Sequence, residues 1–301
     1  MLNLVLASFL WAFSFGLIKG RMGGLDPALV AAGRLLLAAL VFTPFLFRHR
    51  FRPAELGRIL LLGAVQFGVM YWLYIASFNY LPAWLVALFT VFTPLYVVLI
   101  ADGAARRLRW RNVTAALVAV AGALLVVAWG MPQNDAWRGV LLLQGANLCF
   151  AVGMLLYPGL KTRTGADDVV MVGWMYWGAF LVTGIGVFSG GGLVLDNWDL
   201  SAGMTLLYLG LVPTALGFYL WNRGAARVSS GWLAVANNLK IPLAVVVSWV
   251  VFGEDAEWSK AVVGLLLVGG SLFIAERKTE EPQPPIRDMA KGAGPSSSSS
   301  P

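Results

Sequence analysis

Ten apolar runs of roughly bilayer length follow one another along this chain. They lie near 2–20, 28–47, 58–78, 83–101, 112–130, 138–158, 169–189, 202–222, 231–252 and 258–275. A helix rises 1.5 Å per residue, so each run can cross a hydrocarbon core about 30 Å thick. Lipid offers no hydrogen bonds, so a spanning segment must satisfy its own backbone, which at this length means helix. Composition agrees: of 301 residues, 59% are hydrophobic and 12% charged, more apolar surface than a soluble domain needs. The expectation is an all-α integral membrane protein with ten transmembrane helices. Most loops are too short to hold an enclosed soluble domain.

Lysine and arginine set the orientation. With the N-terminus inside, cytoplasmic loops and tail hold 16 of the 22 basic residues and the outer face 4, while Arg34 and Lys240 lie within spans. Both termini are therefore expected in the cytoplasm. Lys19 and Arg21 disagree locally, because they follow a first span with no basic residue before it. The net charge of +7 belongs to these loops and does not call for a nucleic-acid partner. Cys149 is the single cysteine and His49 the single histidine, so the sequence has neither an intrachain disulfide nor a Cys/His metal pattern. No cofactor is implied. The first span lacks the basic region and small-residue cleavage site of a signal peptide. Residues 277–301, with EEPQPP and GAGPSSSSSP, read as a disordered cytoplasmic tail.

The chain also matches itself. A shift of 148 residues lays Trp232 on Trp84, Pro242 on Pro94, Trp258 on Trp110 and Gly270 on Gly122. Residues 1–130 then form one five-helix repeat and 138–276 a second. Five is odd, so the second copy must insert upside down. Inverted repeats of this kind place a transported solute near the midplane, at the repeat interface.

The ninth span, GWLAVANNLKIPLAVVVSWVVFGE, has the most unusual midpoint. A lysine at the bilayer centre costs roughly 2.5–3.5 kcal/mol on insertion scales, so Lys240 needs a reason. One reading is an anchor for an anionic solute group. The other is a tie to backbone carbonyls freed by Pro242, since proline removes an N–H and kinks a helix. Pro94 holds the corresponding place in the fourth span, and both prolines are candidate hinges. Asn237 and Asn238 lie one turn before Lys240, and Gln144 and Asn147 share a face of the sixth span. Such stripes turn inward, either to a cavity or to interhelical hydrogen bonds. Gln66, Met70, Tyr74 and Ser77 share a face of the third span, and Thr214, Phe218 and Trp221 the equivalent face of the eighth. Tyr74, Phe89 and Trp221 are candidate cavity aromatics. Trp84, Trp110, Trp232 and Trp258 sit at span ends, where tryptophan usually anchors at the interface. Arg34 reads as a helix tie or gate.

The first span's LWAFSFGLIK, Gly33-Arg34 in the second, the ninth-span proline with Gly253-Glu254 after it, and the glycine-rich WSKAVVGLLLVGGSLFIAER carry a resemblance. The chain resembles the ten-helix EamA-type branch of the drug/metabolite transporter superfamily. Within it, the chain is most similar to YddG-type amino acid exporters of bacterial inner membranes. The resemblance implies alternating access, a multi-pass inner-membrane location, and a monomer or homodimer. It implies export of aromatic or other neutral amino acids, with another small organic solute or drug-like metabolite as the alternative. Many members carry an acid just before the ninth-span proline, where this chain has Ile241. No span has Asp or Glu at its middle, which points to uncoupled facilitated transport. No HExxH and no pair of intramembrane aspartates is present, so an enzyme is not expected.

Overall fold

The structure, a computed structural model, describes residues 2–104, 106, 110, 114, 117–118, 121, 135–190, 192–193, 198–225, 240, 243–244, 247, 250–253 and 266. Asn237, Asn238, Pro242, the tail, and most of the fifth, ninth and tenth spans lie outside the described residues.

The described residues are helical, without strands. The elements are α1 (Leu2–Arg21), α2 (Pro27–Phe42, extended by a 3-10 turn Thr43–Arg48), α3 (Pro53–Gly63) and α4 (Met70–Ser77), then α5 (Ala83–Phe89) and α6 (Phe92–Ala104). They continue with α7 (Ala136–Thr164), α8 (Asp168–Ser189), α9 (Leu200–Leu209) and α10 (Gly217–Ala225). A π-helical turn, Ala64–Val69, joins α3 to α4, and a second, Gly210–Leu216, joins α9 to α10. Among the described residues, six helical stretches are long and apolar enough to cross a membrane: Leu2–Arg21, Pro27–Arg48, Pro53–Ser77, Ala136–Thr164, Asp168–Ser189 and Leu200–Ala225. They correspond to the expected spans one, two, three, six, seven and eight.

Local chemistry sets several ends. The Asp26 carboxylate accepts from Leu29 N at 2.7 Å and Pro27 opens α2. Asp199 accepts from Ala202 N at 2.7 Å and opens α9. Gly165 ends α7 with φ +64°. The fourth span is interrupted at Thr90–Val91, between α5 and α6. Pro94 has no N–H to give Thr90 O, and Thr93 N takes that carbonyl instead at 3.1 Å.

Packing follows an exchange pattern. The first span packs on the eighth and the sixth on the third. The second packs on the π turn of the eighth, and the seventh on the π turn of the third. Swapping the two halves maps each of these contacts onto another, and the second and seventh spans pack on one another. The closest approach is backbone to backbone. A Cβ on Gly63 would lie 2.0 Å from Met175 O, and one on Gly178 2.1 Å from Leu60 O.

One face can be traced through hydrogen bonds. Lys19 Nζ, at the end of α1, donates to Phe78 O just after α4 at 2.7 Å. Arg21 Nη1 donates to Ser201 Oγ at the start of α9 at 3.2 Å. The third span therefore ends on the face where the eighth begins, so these two run in opposite directions. Trp84 departs from the anchor expectation. It is buried, because α5 packs between α1 and α7. Trp110 is exposed at 77%.

Candidate functional site

The central cavity, about 60 Å³, is walled by six spans. From α1 come Trp11, Ser14 and Phe15, spaced i, i+3, i+4 on one face. Met70, Tyr71 and Tyr74 come from α4, and Ala146, Asn147 and Phe150 from α7. Thr90 and Thr93 flank the break in the fourth span, Phe218 comes from α10, and Lys240 from the ninth. The contributors are spans one, three and four with their equivalents six, eight and nine.

Six of the thirteen lining residues are aromatic. Trp11 lies 4.8 Å from Phe218 and 6.2 Å from Phe150, centroid to centroid, and Phe15 meets Tyr74 edge-on at 5.9 Å. The Lys240 ammonium sits 5.0 Å from the Trp11 ring centre, within cation–π range, and its residue is 6% exposed. No Asp or Glu is among the described lining residues.

Beneath the wall lies a second polar centre. Arg34 is 1% exposed. Its Nε donates to Thr214 Oγ1 at 3.1 Å and its Nη2 to the Tyr71 hydroxyl at 3.0 Å, with the guanidinium 4.3 Å from the Tyr71 ring centre. Thr214 in turn donates to Leu209 O at 2.7 Å. Pro213 lacks the N–H that a regular helix would send there, so the threonine hydroxyl replaces it. The Trp11 indole donates to Pro213 O at 2.9 Å, and Tyr176 donates to Thr214 O at 2.7 Å. A cavity-wall residue thus holds the backbone of the eighth-span π turn.

Among the residues singled out from sequence, Lys240, Asn147 and Tyr74 line one cavity. Trp221 lies behind it, fully buried, 5.0 Å from Trp11. Phe89 is also buried, and its carbonyl accepts from Asn147 Nδ2 at 2.9 Å. Arg34 ties the second span to the third and eighth. Gln66 is buried and donates to Asn222 Oδ1 at 3.4 Å. Trp11, Phe15, Tyr71, Phe150, Thr90 and Thr93 were not singled out. Trp11 carried a signal: it lies in the middle of an apolar run, where the interfacial-anchor reading fails.

A bundle of bilayer-length helices around a buried, aromatic-lined, cation-bearing cavity defines a multi-pass membrane protein. The EamA-like transporter family model matches residues 1–128 and again residues 137–275, and the chain belongs to that family. The Escherichia coli K12 biotin transporter is 36% identical over 277 residues, covering 91% of this chain and 92% of that protein. A probable biotin transporter of Pseudomonas aeruginosa is 36% identical over 278 residues, 91% and 96% of the two chains. A probable terminal-alkyne amino-acid exporter of Streptantibioticus cattleyicolor is 27% identical over 277 residues, 90% of each. A solved crystal structure, 18% identical, covers 91% of this chain and 96% of that one with a TM-score of 0.66, a likeness of fold alone.

Proposed function

We propose that this chain carries a small amphipathic carboxylate across the bacterial inner membrane, with biotin as the leading substrate. The observation that carries the reading is one basic side chain, Lys240, set in a cavity lined by six aromatic rings between the two halves. The ammonium holds the carboxylate while Trp11, Phe150, Phe218 and Tyr74 enclose the apolar body. The 36% identity to biotin transporters supports this substrate. Asn147 contributes a polar contact, and Asn237 and Asn238, one turn before Lys240, complete the polar side. Phe89 and Trp221 back the wall. The carrier has ten spans in two inverted repeats, both termini in the cytoplasm, and works as a monomer or homodimer. Alternating access comes from rocking of the halves about Pro94 and Pro242, with Arg34 as the gate tie. The cavity is small beside the roughly 300–1,000 Å³ of sites for drug-sized ligands, so loading must widen it. The lack of a described carboxylate in the wall supports uncoupled transport, whose direction follows the gradient.

Export of aromatic or neutral amino acids is the second reading, favoured by the 27% identity to an amino-acid exporter. Tracer flux in proteoliposomes separates the two. Labelled biotin should saturate and exchange, and phenylalanine should fail to compete. Lys240→Gln should cut biotin kcat/KM by about 10–100-fold, the effect of losing a charge-assisted hydrogen bond. Flux of phenylalanine without biotin would overturn the biotin reading. Undiminished biotin flux in Lys240→Gln would remove Lys240 from the site.

A further inference from the structure

Proton accounting in the cavity wall gives the polarity of the solute's other end. The break before α6 leaves Phe89 O open, and this carbonyl can only accept. The Asn147 atom 2.9 Å from it is therefore the amide nitrogen, and its second N–H goes to Gln144 Oε1 at 3.3 Å. Gln144 Oε1 is held in place by the Tyr96 hydroxyl at 2.9 Å. Asn147 thus turns its oxygen to the cavity side, where Thr93 donates to it at 3.2 Å. Thr90 spends its proton on Ala87 O at 2.7 Å. Elsewhere in the wall, Ser14 donates to Trp11 O and the indole of Trp11 donates to Pro213 O, the Tyr74 hydroxyl is hydrogen-bonded with Ser14, and Lys240 supplies the donor for the carboxylate end. Thr214 has given its own proton to Leu209 O, so the Tyr71 hydroxyl is the donor in their 3.3 Å contact.

The N–H and O–H protons of these side chains, Lys240 apart, are committed to protein acceptors. What Thr90, Thr93 and Asn147 still offer is oxygen lone pairs. We infer that this patch is a donor-selective subsite that takes an N–H-bearing head group of the solute while the carboxylate faces Lys240. The inference rests on the carboxylate reading above and extends it to a ligand with a cation-seeking end and an N–H end. A cyclic urea and an ammonium both satisfy the patch. A ketone, ether or ester head would leave its acceptors facing acceptors.

Competition against labelled biotin in proteoliposomes tests this with four unlabelled compounds: biotin, its methyl ester, dethiobiotin, and biotin methylated on a ureido nitrogen. Dethiobiotin keeps both N–H groups and should compete like biotin. The N-methylated compound should compete about tenfold more weakly, the effect of a methyl opposite a buried acceptor. Thr93→Val, nearly isosteric, removes one acceptor of the patch, so it should weaken competition by biotin itself and bring the methylated and unmethylated compounds closer together. Equal competition by biotin and its N-methylated form would remove the ureido group from the donor subsite. Failure of the carboxylate reading is separate, because there the methyl ester competes as well as biotin. Phenylalanine and 3-phenylpropionate distinguish the source of the N–H. Phenylalanine outcompeting 3-phenylpropionate supports an ammonium donor on the same patch, and equal competition by this pair together with equal competition by the biotin pair overturns it.

Discussion

Arg34 is a residue whose place depends on its neighbours more than on the solute. A guanidinium buried within a membrane-length helix is costly unless its hydrogen bonds are met. Thr214 and the Tyr71 hydroxyl accept from Nε and Nη2, the Tyr71 ring faces the guanidinium, and these partners come from two other spans. Arg34→Met keeps the length and loses both hydrogen bonds, leaving Thr214 and Tyr71 short of a donor. We expect a loss of about 2–4 kcal/mol, read as a lower Tm of the purified protein in detergent. Arg34→Lys should recover only part of this, because an ammonium cannot span both partners as the planar fork does. Lys240 behaves oppositely by this argument. Its removal should change flux more than melting, since its setting is the cavity. Which residues were legible follows from the same physics. Lys240, Asn147 and Tyr74 stood out because polar groups in apolar runs demand an explanation. Phe15 and Phe150 did not, because a phenylalanine facing a cavity and one facing lipid read alike along a sequence. Only the packing of neighbouring helices separates them.

At the scale of elements, the two π turns matter more than their length suggests. Their places correspond, since the 148-residue shift carries Gln66 to Thr214. Each packs against the other half of the chain. A π turn widens the helix and loosens its hydrogen bonding, a common feature of functional segments. The eighth-span turn was partly legible through Pro213, which cannot donate to Leu209 O. The third-span turn, AVQFGV, holds no residue that forces it, and it forms where Gly63 and Gly68 let the backbone press against α8. Its origin is tertiary, so periodicity alone does not reveal it. The indole of Trp11 joins the cavity to the eighth-span turn. Trp11→Phe should keep most of the ring contacts and drop that bond, worth about 1 kcal/mol. We expect Vmax for biotin to fall severalfold with KM changed less, measured as initial flux. A rise in KM alone would make Trp11 a wall residue only. Gly63→Ala should be worse for the fold, because its Cβ has no space beside Met175 O. A loss of about 1–3 kcal/mol is expected from overpacking, visible as reduced Tm and poor recovery of folded protein.

For the whole molecule, the exchange of contacts between halves and the opposed directions of the third and eighth spans belong together. The third span ends beside Lys19, and the eighth begins beside Arg21, at the same end of α1. If that relation holds through the chain, every loop of the first half has its counterpart on the opposite face. This also explains Lys19 and Arg21, which follow the first span against the overall charge bias. Each is tied to a neighbouring helix end, so its place answers to tertiary bonding as well as to membrane potential. The arrangement makes a labelling prediction. In a Cys149→Ala background, cysteines placed at Asn79 and Ser201 should both react with an impermeant maleimide from the periplasmic side. Cysteines at His49 and Thr162, at the ends of the second and sixth spans, should react only after the inner membrane is opened. Labelling of 79 and 201 from opposite sides would break the shared face traced through α1. Labelling of all four from the same side would remove the inverted repeat altogether. The predicted split, with both transport-active variants and intact spheroplasts as controls, would fix the orientation of the cavity between its two possible openings.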